Sequence, residues 1–363
     1  MKIMSVVGAR PQFVKLAPMA RALAARCTHL VVHTGQHYDP ALSTVFFDEL
    51  EIPRPDDHLD IGSASHGAQT GRMLEELEAV MTRRRPDAVL VYGDTNSTLA
   101  ATLAAVKLGI PVAHLEAGLR SFDRSMPEEH NRVVTDHAAD LLLAPTAEAV
   151  SHLAREGLAG RTRLVGDVMT DVLLRVRDQV AAAEEARPET LLRHGIEGGY
   201  VLATLHRPAN TDDPVRLAEV LDGVATAATP GAPVLLLAHP RLRDRARAAG
   251  VALERPGVVV APPVGYQELV RLLGGADGVV TDSGGLQKEA FLLRRPCVTV
   301  RSETEWPETV DLHWNELVGE RPWSIGARLA ALGCDETDDE PYGDGHAADR
   351  AADAVLGLAL SRR

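Results

Sequence analysis

Short apolar segments that alternate with helix-forming segments constrain the fold of this chain more than any other feature of its sequence. One series of such segments runs from Ile3–Val7 to Arg163–Val165, and a second runs from Tyr200–Thr204 to Cys297–Val300. The segments are short, apolar and often rich in valine, which is typical of parallel strands buried on both faces. Strands that alternate with helices form right-handed β-α-β units, so the sequence predicts an α/β chain with two doubly wound sheets.

Each series predicts its own set of strands. In the first series they are Ile3–Val7, Leu30–His33, Ala88–Tyr92, Val112–Leu115, Leu141–Ala144 and Arg163–Val165. In the second series they are Tyr200–Thr204, Val234–Ala238, Val258–Ala261, Gly278–Thr281 and Cys297–Val300. Helices are predicted between them, for example over Ser97–Leu108 and Glu128–Ala138.

The two series divide the chain into two predicted domains. We predict an N-terminal Rossmann-like domain over residues 1–170, a connection over 171–195 and a second Rossmann-like domain over 196–346. The last segment, 347–363, predicts a terminal helix that could cross back to the first domain. Ligands of doubly wound sheets bind outside the carboxyl ends of the strands. Two such domains would therefore face each other across a cleft, and residues that follow each strand are the candidate site residues.

Composition excludes several classes of function. The 363 residues include 38 Lys and Arg against 51 Asp and Glu, a formal charge of −13, which argues against a nucleic-acid-binding protein with a broad basic surface. Cys27, Cys297 and Cys334 match neither a zinc-binding spacing nor a disulfide framework, so we expect a reducing, cytoplasmic compartment. No apolar run approaches the roughly 18 residues of a membrane-spanning helix, and the N-terminal MKIMSVVGARP lacks the features of a signal peptide.

Two basic residues follow the first predicted strand. Gly8 permits a tight turn, Arg10 falls at a helix N-terminus, and Lys15 lies on the same helix. A guanidinium beside unpaired backbone N–H groups suits a phosphate, although a surface arginine after a turn would show the same pattern. His37 follows the next strand on a glycine-containing loop, where the sequence alone favours a structural role over a catalytic one.

Three carboxylates follow later strands of the first series. Asp94 and Glu116 each come just after an apolar strand, and Glu128 lies in the first turn of a predicted helix. Since the carboxyl ends of parallel strands meet at one edge of a sheet, we expect these side chains to converge. Converging carboxylates repel one another, and this repulsion tends to raise the pKa of at least one of them. A raised pKa suits proton transfer near neutral pH.

Each of these carboxylates also has a structural interpretation. Asp94 could cap the helix that follows it, and Glu116 could form an ion pair with Arg120. Glu128 could stabilise its helix through the dipole and through Arg132 one turn later. The residues alone leave both interpretations open at each position.

The second series places histidines and a glycine-rich turn after its strands. His206 and His239 follow successive strands, and Tyr266 lies in a loop rich in Pro and Gly. Ser283–Gly285 open a helix at which a phosphate could approach backbone N–H groups, and Glu289 in the same helix suits a ribose hydroxyl pair. This is neither the G-x-G-x-x-G fingerprint nor a Walker loop, which disfavours NAD binding and ATP hydrolysis.

The motifs of the chain, taken together, resemble those of the non-hydrolysing UDP-N-acetylglucosamine 2-epimerases. They match in order and spacing from Gly8 to Gly345, which is nearly the whole chain, and they are GARPQFVKLAP, YGDTNSTLA, HLEAGLRSFDRSMPEEHNR, TLHRP, TDSGGLQKEA, TEWPETV and PYGDG. The resemblance implies a two-domain fold of the glycosyltransferase-B type and, as is usual in the family, a homodimer. It also implies interconversion of UDP-N-acetylglucosamine and UDP-N-acetylmannosamine with neither a metal nor NAD.

The same resemblance implies roles for individual residues. The catalytic residues would be Asp94, Glu116, Glu128 and His206. The diphosphate would be held by Arg10, Ser283, Gly284 and Gly285, and the ribose by Glu289, while Lys15 would lie near the active site and the loop around Tyr266 would face the uracil. We add His37, Arg120 and His239 as predicted substrate contacts. Which carboxylate acts as base and which as acid stays open.

The reaction that the resemblance implies suits these residues. Removal of the weakly acidic C2 proton would be coupled to departure of UDP from C1, leaving a 2-acetamidoglucal beside UDP. Re-addition of UDP, with a proton delivered to the opposite face of C2, would give the epimer. This needs a base on one face, an acid on the other and stabilisation of the leaving diphosphate. The product could supply a cell-wall or capsular polymer, or a specialised metabolite.

Other activities are compatible with parts of the pattern. The stretch SFDRSMPEE also resembles relatives that epimerise UDP-2,3-diacetamido-2,3-dideoxy-glucuronate, and Ala209 stands where the family often carries an acid. A glycosyltransferase of the same architecture would share the nucleotide site, and a hydrolysing epimerase would share the elimination step. A sensor without catalysis is disfavoured, because clustered acids do not help to bind an anionic ligand.

Overall fold

The computed structural model describes residues 1–36, 52–182, 187–334 and 337–361. The chain forms two compact units. Unit 1 comprises Met1–Leu174 together with Glu340–Arg363, and unit 2 comprises Arg175–Asp339. No helix in the described ranges has the length and apolar character that crossing a membrane requires.

Unit 1 is built on a parallel sheet. Its strands are β1 (Lys2–Val7), β2 (Thr28–His33), β3 (Asp57–His58), β4 (Ala88–Tyr92), β5 (Val112–Leu115), β6 (Leu141–Ala144) and β7 (Thr162–Leu164). Its helices are α1 (Arg10–Ala24), α2 (His66–Arg84), α3 (Asn96–Lys107), α4 (Pro127–Ala138), α5 (Ala147–Arg155) and the first part of α6 (Val168–Ala182). The strand order is β3-β2-β1-β4-β5-β6-β7, so the order reverses between β1 and β4.

Unit 2 repeats this plan. Its strands are β8 (Val201–Leu205), β9 (Val234–Ala238), β10 (Val258–Ala261), β11 (Gly278–Thr281), β12 (Cys297–Thr299) and β13 (Asn315–Leu317). Its helices after α6 are α7 (Glu189–Arg193), α8 (Pro208–Thr211), α9 (Pro214–Ala225), α10 (Pro240–Ala249), α11 (Tyr266–Gly275), α12 (Gly284–Leu292), α13 (Pro307–Asp311) and α14 (Ile325–Ala331). The parallel order β10-β9-β8-β11-β12-β13 reverses between β8 and β11. The predicted α/β class with two doubly wound, Rossmann-like sheets is therefore confirmed.

The central strands are mainly apolar because both faces of each sheet are covered. In β1, Ile3 belongs to one hydrophobic cluster and Met4 to another, as expected when successive side chains point to opposite faces. Leu77 of α2 lies in the second cluster together with residues of α3. Both Ile3 and Met4 are fully buried, so neither face of the strand is available to solvent.

The chain returns to unit 1 as α15 (Ala347–Ser361), which packs against α1. Val355 of α15 is fully buried in the same cluster as Leu16 of α1. Asp171 accepts hydrogen bonds from the backbone N–H groups of Ala347 (3.1 Å) and Ala348 (2.7 Å). A side chain of α6 thus satisfies the first donors of the terminal helix.

Most predicted strands agree with the observed ones to within a residue or two. Arg163–Val165 is observed as Thr162–Leu164, and the predicted helices begin one residue earlier, at Asn96 and Pro127. The strands β3 and β13 were not predicted. Both are short and carry polar residues, so neither shows an apolar run. They form because the backbone of a neighbouring strand provides their hydrogen-bond partners.

Candidate active site

Gln12 joins the loops that follow β1 and β4, at the position where the order of the unit 1 sheet reverses. Its Oε1 accepts hydrogen bonds from the N–H groups of Gly8 (2.7 Å) and Ala9 (3.0 Å), and its Nε2 donates to the last carbonyl of β4 (2.9 Å). A Cβ on Gly8 would lie 2.0 Å from Thr34 Oγ1, so only glycine fits there. Because Gln12 occupies these two N–H groups, a phosphate at this turn would depend chiefly on Arg10, whose side chain lies outside the described part of the structure.

Lys15 forms an ion pair with Glu116, and both side chains are largely buried. Burial lowers the pKa of Lys15, but Glu116 and then Asp94 and Asp167 raise it, and the net result lies above its ordinary value. Lys15 is therefore a fixed positive charge next to two of the predicted catalytic carboxylates. Glu116 pairs with Lys15 rather than with Arg120.

Glu116 has a left-handed backbone with a φ of 70°. This conformation is costly for a residue with a side chain and persists only where neighbouring contacts enforce it. The N–H groups of Glu116 and Ala117 both donate to the Leu143 carbonyl at 3.1 Å. These hydrogen bonds enforce the strained backbone of Glu116 at the end of β5, and strain of this kind is common at functional sites.

Asp94 pairs with Arg132, and a second nitrogen of Arg132 contacts Glu129 Oε2 at 2.8 Å. The N-cap of α3 is Thr95, so capping does not explain Asp94. The pairing of Arg132 with Glu128 that helical spacing would allow is replaced by these two contacts. Arg132 thus pairs with Asp94, an acid that follows a different strand, rather than with an acid one turn away on its own helix.

The adjacent glutamates of α4 have different environments. Glu129 is buried and accepts hydrogen bonds from the backbone N–H groups of Ser121 and Phe122, both at 3.0 Å. Burial raises the pKa of Glu129, but these N–H groups and Arg132 lower it by more. The net pKa lies below its ordinary value, so the residue is held ionised. Glu128 is half-buried, and within the described ranges it forms no hydrogen bond or ion pair. Among Asp94, Glu116 and Glu128, it is the carboxylate without a partner in the part of the chain that the structure describes.

Arg120 lies in a buried network behind this edge of the sheet. Its side chain is 2% exposed and contacts Asp136 Oδ2 at 2.7 Å and Glu156 Oε1 at 2.8 Å. Asp136 also contacts His114 Nδ1 at 2.6 Å, and His114 Nε2 contacts the Gly93 carbonyl at 2.7 Å. Burial raises the pKa of Asp136, but His114 and Arg120 outweigh it and lower the net value. Arg120 is thus paired with two protein carboxylates, and its contact with substrate stays a prediction.

In unit 2, His206 and Asp282 meet where the strand order reverses. His206 directly follows β8, and Asp282 directly follows β11. Asp282 is 0% exposed and accepts hydrogen bonds from the backbone N–H groups of His206 (3.0 Å) and Arg207 (3.0 Å). His206 Nδ1 lies 3.0 Å from Asp282 Oδ1, and the His206 side chain is 43% exposed.

Helix α12 begins at Gly284, as the Ser-Gly-Gly pattern predicts. Ser283 caps it by accepting a hydrogen bond from the Leu286 N–H (3.4 Å). A Cβ on Gly284 would lie within 4 Å of Glu305, Arg301 and Arg207, so glycine leaves this turn open to charged side chains. The guanidinium groups of Arg207 and Arg301, both paired with Glu305, lie beside the first turn of this helix. Such a helix start with two arginines near it suits a diphosphate.

The remaining predicted contacts of unit 2 follow neighbouring strands. Tyr266 donates its hydroxyl hydrogen to Glu289 Oε1 at 2.9 Å. The ring of His239 lies 6.0 Å from that of His206 and caps α10. A pocket of about 270 Å³ is bounded by the loop Pro262–Gly265 after β10 and by Thr190. His37, also predicted to contact substrate, lies outside the described residues.

The sequence was compared with family models and with known proteins. A family model described as UDP-N-acetylglucosamine 2-epimerase matches residues 21–356. The chain belongs to this family. It is 46% identical to the UDP-2,3-diacetamido-2,3-dideoxy-D-glucuronate 2-epimerase of Pseudomonas aeruginosa, over 99% of this chain and 100% of that protein. It is 40% identical to the UDP-N-acetylglucosamine 2-epimerase of Methanocaldococcus jannaschii, over 96% of this chain and 97% of that protein.

Solved structures of the 2-epimerase family agree with the fold. The crystal structure of the Methanocaldococcus jannaschii UDP-GlcNAc 2-epimerase in complex with UDP-GlcNAc and UDP matches with a TM-score of 0.83 at 37% identity, covering 100% of both chains. The Staphylococcus aureus MnaA–UDP structure matches with a TM-score of 0.82 at 28% identity, covering 98% of this chain and 97% of that one. The 2-epimerase resemblance and the glycosyltransferase-B type fold are thereby confirmed.

In each unit of this epimerase-family chain, several residues that lie beside the predicted site residues were not predicted. They are Glu129, Arg132, Asp282, Arg301 and Glu305. A signal existed for Asp282, since it directly follows an apolar strand, as Glu116 does. Arg301 and Glu305 lie four residues apart and pair with each other, which the sequence does not distinguish from a surface ion pair.

Proposed function

We propose that this protein interconverts UDP-N-acetylglucosamine and UDP-N-acetylmannosamine by epimerisation at C2. The observation that carries the proposal is the set of acids at the carboxyl edge of one sheet. Asp94 and Glu116 are each paired with a buried cation, whereas Glu128 is uncommitted within the described ranges. The positive charges of Lys15 and Arg132 offset the electrostatic repulsion among these acids.

The proposed reaction needs no change of oxidation state overall. A base removes the C2 proton, and the electron pair of the C2–H bond forms the C1–C2 double bond. At the same time the C1–O bond breaks, and its electron pair leaves with UDP. UDP then adds back to C1 while an acid returns a proton to the opposite face of C2. The 2-acetamidoglucal avoids a free carbanion, which is why stabilising the leaving diphosphate matters as much as the base.

Unit 2 would bind the UDP portion. The open turn at Gly284 with Arg207 and Arg301 supports a diphosphate site, and Glu289 supports a contact to ribose hydroxyls. The pocket beside Pro262–Gly265 supports a site for the uracil, because it adjoins the loop predicted to face the base. Unit 1 would supply Asp94, Glu116, Glu128 and Arg10.

A second candidate substrate is UDP-2,3-diacetamido-2,3-dideoxy-glucuronate. It is favoured by the 46% identity to the Pseudomonas aeruginosa enzyme named for that sugar. The two substrates differ at C3 and in a carboxylate on C5, whereas the reacting atoms C1 and C2 are the same. The proposed chemistry therefore holds for either, and only the hexose changes.

Proton NMR in D₂O tests the function directly. With UDP-N-acetylglucosamine, we expect UDP-N-acetylmannosamine that carries deuterium at C2. Free UDP accumulating with N-acetylmannosamine would instead assign the protein to the hydrolysing class. An unchanged spectrum, followed by turnover of the diacetamido-glucuronate, would assign the second substrate. Transfer to an acceptor sugar without isomerisation would contradict both.

Substitutions separate binding from catalysis. Arg10→Ala should weaken UDP binding and slow elimination, because it removes a charge from the diphosphate. Asp94→Asn and Glu128→Gln should lower kcat by roughly 10²–10⁴-fold with smaller effects on UDP affinity measured by calorimetry. Equal losses of UDP affinity in all three variants would contradict this division of roles.

We further propose a cytoplasmic homodimer that feeds a surface polymer or a specialised metabolite. The proposal of a dimer rests on the family resemblance alone. Sedimentation velocity of the purified chain at micromolar concentration measures its mass, and a species of one chain (38.9 kDa) at all concentrations would contradict it.

A further inference from the structure

Asp282 is surrounded by hydrogen-bond donors. It accepts from the backbone N–H groups of His206 (3.0 Å to Oδ1) and Arg207 (3.0 Å to Oδ2), and from the side-chain Nδ2 of Asn210 (3.2 Å). His206 Nδ1 adds a fourth contact at 3.0 Å. Asn210 Nδ2 also contacts the Val300 carbonyl at 2.9 Å, which anchors the cluster to the end of β12.

These contacts keep Asp282 ionised although it is fully buried. Burial raises the pKa of this carboxyl. The contacts with His206, the Arg207 N–H and Asn210 lower it by more, so the net pKa lies below its ordinary value. An ionised carboxylate can only accept hydrogen bonds, so the hydrogen in the contact with His206 must reside on Nδ1. In the neutral imidazole, Nε2 then carries the lone pair.

The second ring nitrogen of His206, Nε2, forms no hydrogen bond within the described ranges. The ring is 43% exposed, and no described residue forms a hydrogen bond with Nε2. The nearby His239 ring lies 6.0 Å away between centroids and is tilted by 50°, so it is a neighbour rather than a hydrogen-bond partner. His206 is thus held at one nitrogen and available at the other.

We propose that Asp282 is a positioning residue that fixes His206 with its hydrogen on Nδ1 and so presents Nε2 to the diphosphate of the substrate. The role at the diphosphate rests on the proposed epimerase function. When Nε2 takes up a proton, the buried carboxylate stabilises the resulting imidazolium, which can then donate to the departing phosphate oxygen. A neutral amide at position 282 has one acceptor oxygen where the carboxylate has two, and it would not stabilise that charge.

A purely structural role is the competing explanation, because Asp282 also ties the loop after β8 to the end of β11. Three variants distinguish the two. Asp282→Asn keeps the size of the side chain, His206→Asn removes the ring, and Asp277→Asn makes the same change at the other end of β11. Asp277 is exposed and precedes the strand, so it serves as the matched control.

The expected result is a kinetic pattern. Asp282→Asn should lower kcat by roughly 10–100-fold with a change in KM of less than about threefold, and Asp277→Asn should leave both unchanged. In the double variant, Asp282→Asn should add no loss of kcat to that of His206→Asn, because the carboxylate acts through the ring. Multiplied losses in the double variant would overturn the proposal.

Nitrogen-15 NMR of the histidine rings tests the pairing without any variant of Asp282. The His206 resonances are assigned by their loss in His206→Asn. We expect hydrogen on Nδ1 and a lone pair on Nε2 in the neutral ring of the unmodified protein. A ring that carries its hydrogen on Nε2 would overturn the proposal. Because this measurement needs no turnover, it separates a failure of the His206–Asp282 pair from a failure of the proposed reaction.

Discussion

Glu116 and Lys15 show how strongly a single charge at this site depends on its partner. They are 101 positions apart in the chain, and the Lys15 side chain is only 12% exposed. Removing one member of a largely buried ion pair leaves the other charge without compensation, which costs more than the pair contributes. Stability and catalysis must therefore be measured separately at these two positions.

We predict that Glu116→Gln lowers both kcat and stability. The free energy of unfolding should fall by on the order of 3 kcal/mol, because Lys15 would be left as a buried, unpaired charge. Adding Lys15→Met should restore much of that stability without restoring turnover. Denaturant unfolding and steady-state kinetics measure the two effects. Recovery of full turnover in the double variant would show that Glu116 is not catalytic.

We predict that the burial of His29 makes the stability of the folded protein depend on pH. Its Nε2 lies 2.8 Å from Ser5 Oγ, which lies 2.7 Å from Tyr92 Oη, and burial lowers the pKa of His29 to about 4. The unfolded chain therefore binds more protons than the native chain between about pH 6.5 and 4. This contribution is intact above pH 6.5 and is lost as the pH falls towards 4.

The measurement is chemical denaturation at pH 8 and pH 5. His29 should account for about 2 kcal/mol of the loss in unfolding free energy between them. His29→Asn should remove that part of the pH dependence, whereas His346→Asn, at an exposed position, should retain it. An equal pH dependence in the two variants would contradict the assignment.

At the level of elements, the loop between β5 and α4 is held by one side chain of the helix that follows it. Glu129 accepts both backbone N–H groups of Ser121 and Phe122, and the Phe122 backbone is left-handed with a φ of 59°. Glu129 also contacts Arg132, which pairs with Asp94. The conformation of the loop is thereby coupled to the position of a candidate catalytic acid.

The adjacent glutamates offer a matched pair of variants. Glu129→Gln should speed amide hydrogen exchange in residues 121–126 and destabilise the loop by about 1–3 kcal/mol. Glu128→Gln, the same change one residue earlier, should leave exchange unaltered while lowering kcat. Hydrogen exchange with mass spectrometry compares them. Equal protection of the loop in both variants would rule out Glu129 as the residue that holds it.

At the level of the whole molecule, unit 1 is completed only by the last helix of the chain. Unit 1 comprises Met1–Leu174 and Glu340–Arg363, so its core is closed by residues more than 300 positions away from β1. Val355 is fully buried there, whereas Leu360 of the same helix is 59% exposed. Unit 1 should therefore respond to changes in α15.

We predict that Val355→Ala destabilises unit 1 by roughly 1–3 kcal/mol through lost burial and the cavity it leaves. Leu360→Ala should change stability by less than about 0.5 kcal/mol. Hydrogen exchange resolved by segment should show lost protection in β1 and β4, with β8 and β11 unaltered. Uniform loss across both units would mean that α15 stabilises more than unit 1.

The sequence predicted the features that depend on local pattern. Runs of apolar residues identified strands such as β1 and β8, because strands buried on both faces consist mainly of apolar residues. The motifs identified the family, and the residues just after the strands included Asp94, Glu116 and His206. These predictions needed only the identity of neighbouring residues along the chain.

Tertiary structure alone decided which charged groups meet. Arg132 pairs with Asp94 and Glu129 rather than with Glu128, Lys15 pairs with Glu116, and Asp282 holds His206. It also formed β3 and β13 on the edges of existing strands and placed α15 in unit 1. The physical reason is that an apolar run restricts its own conformation, whereas an ion pair depends on a partner brought close by the rest of the fold.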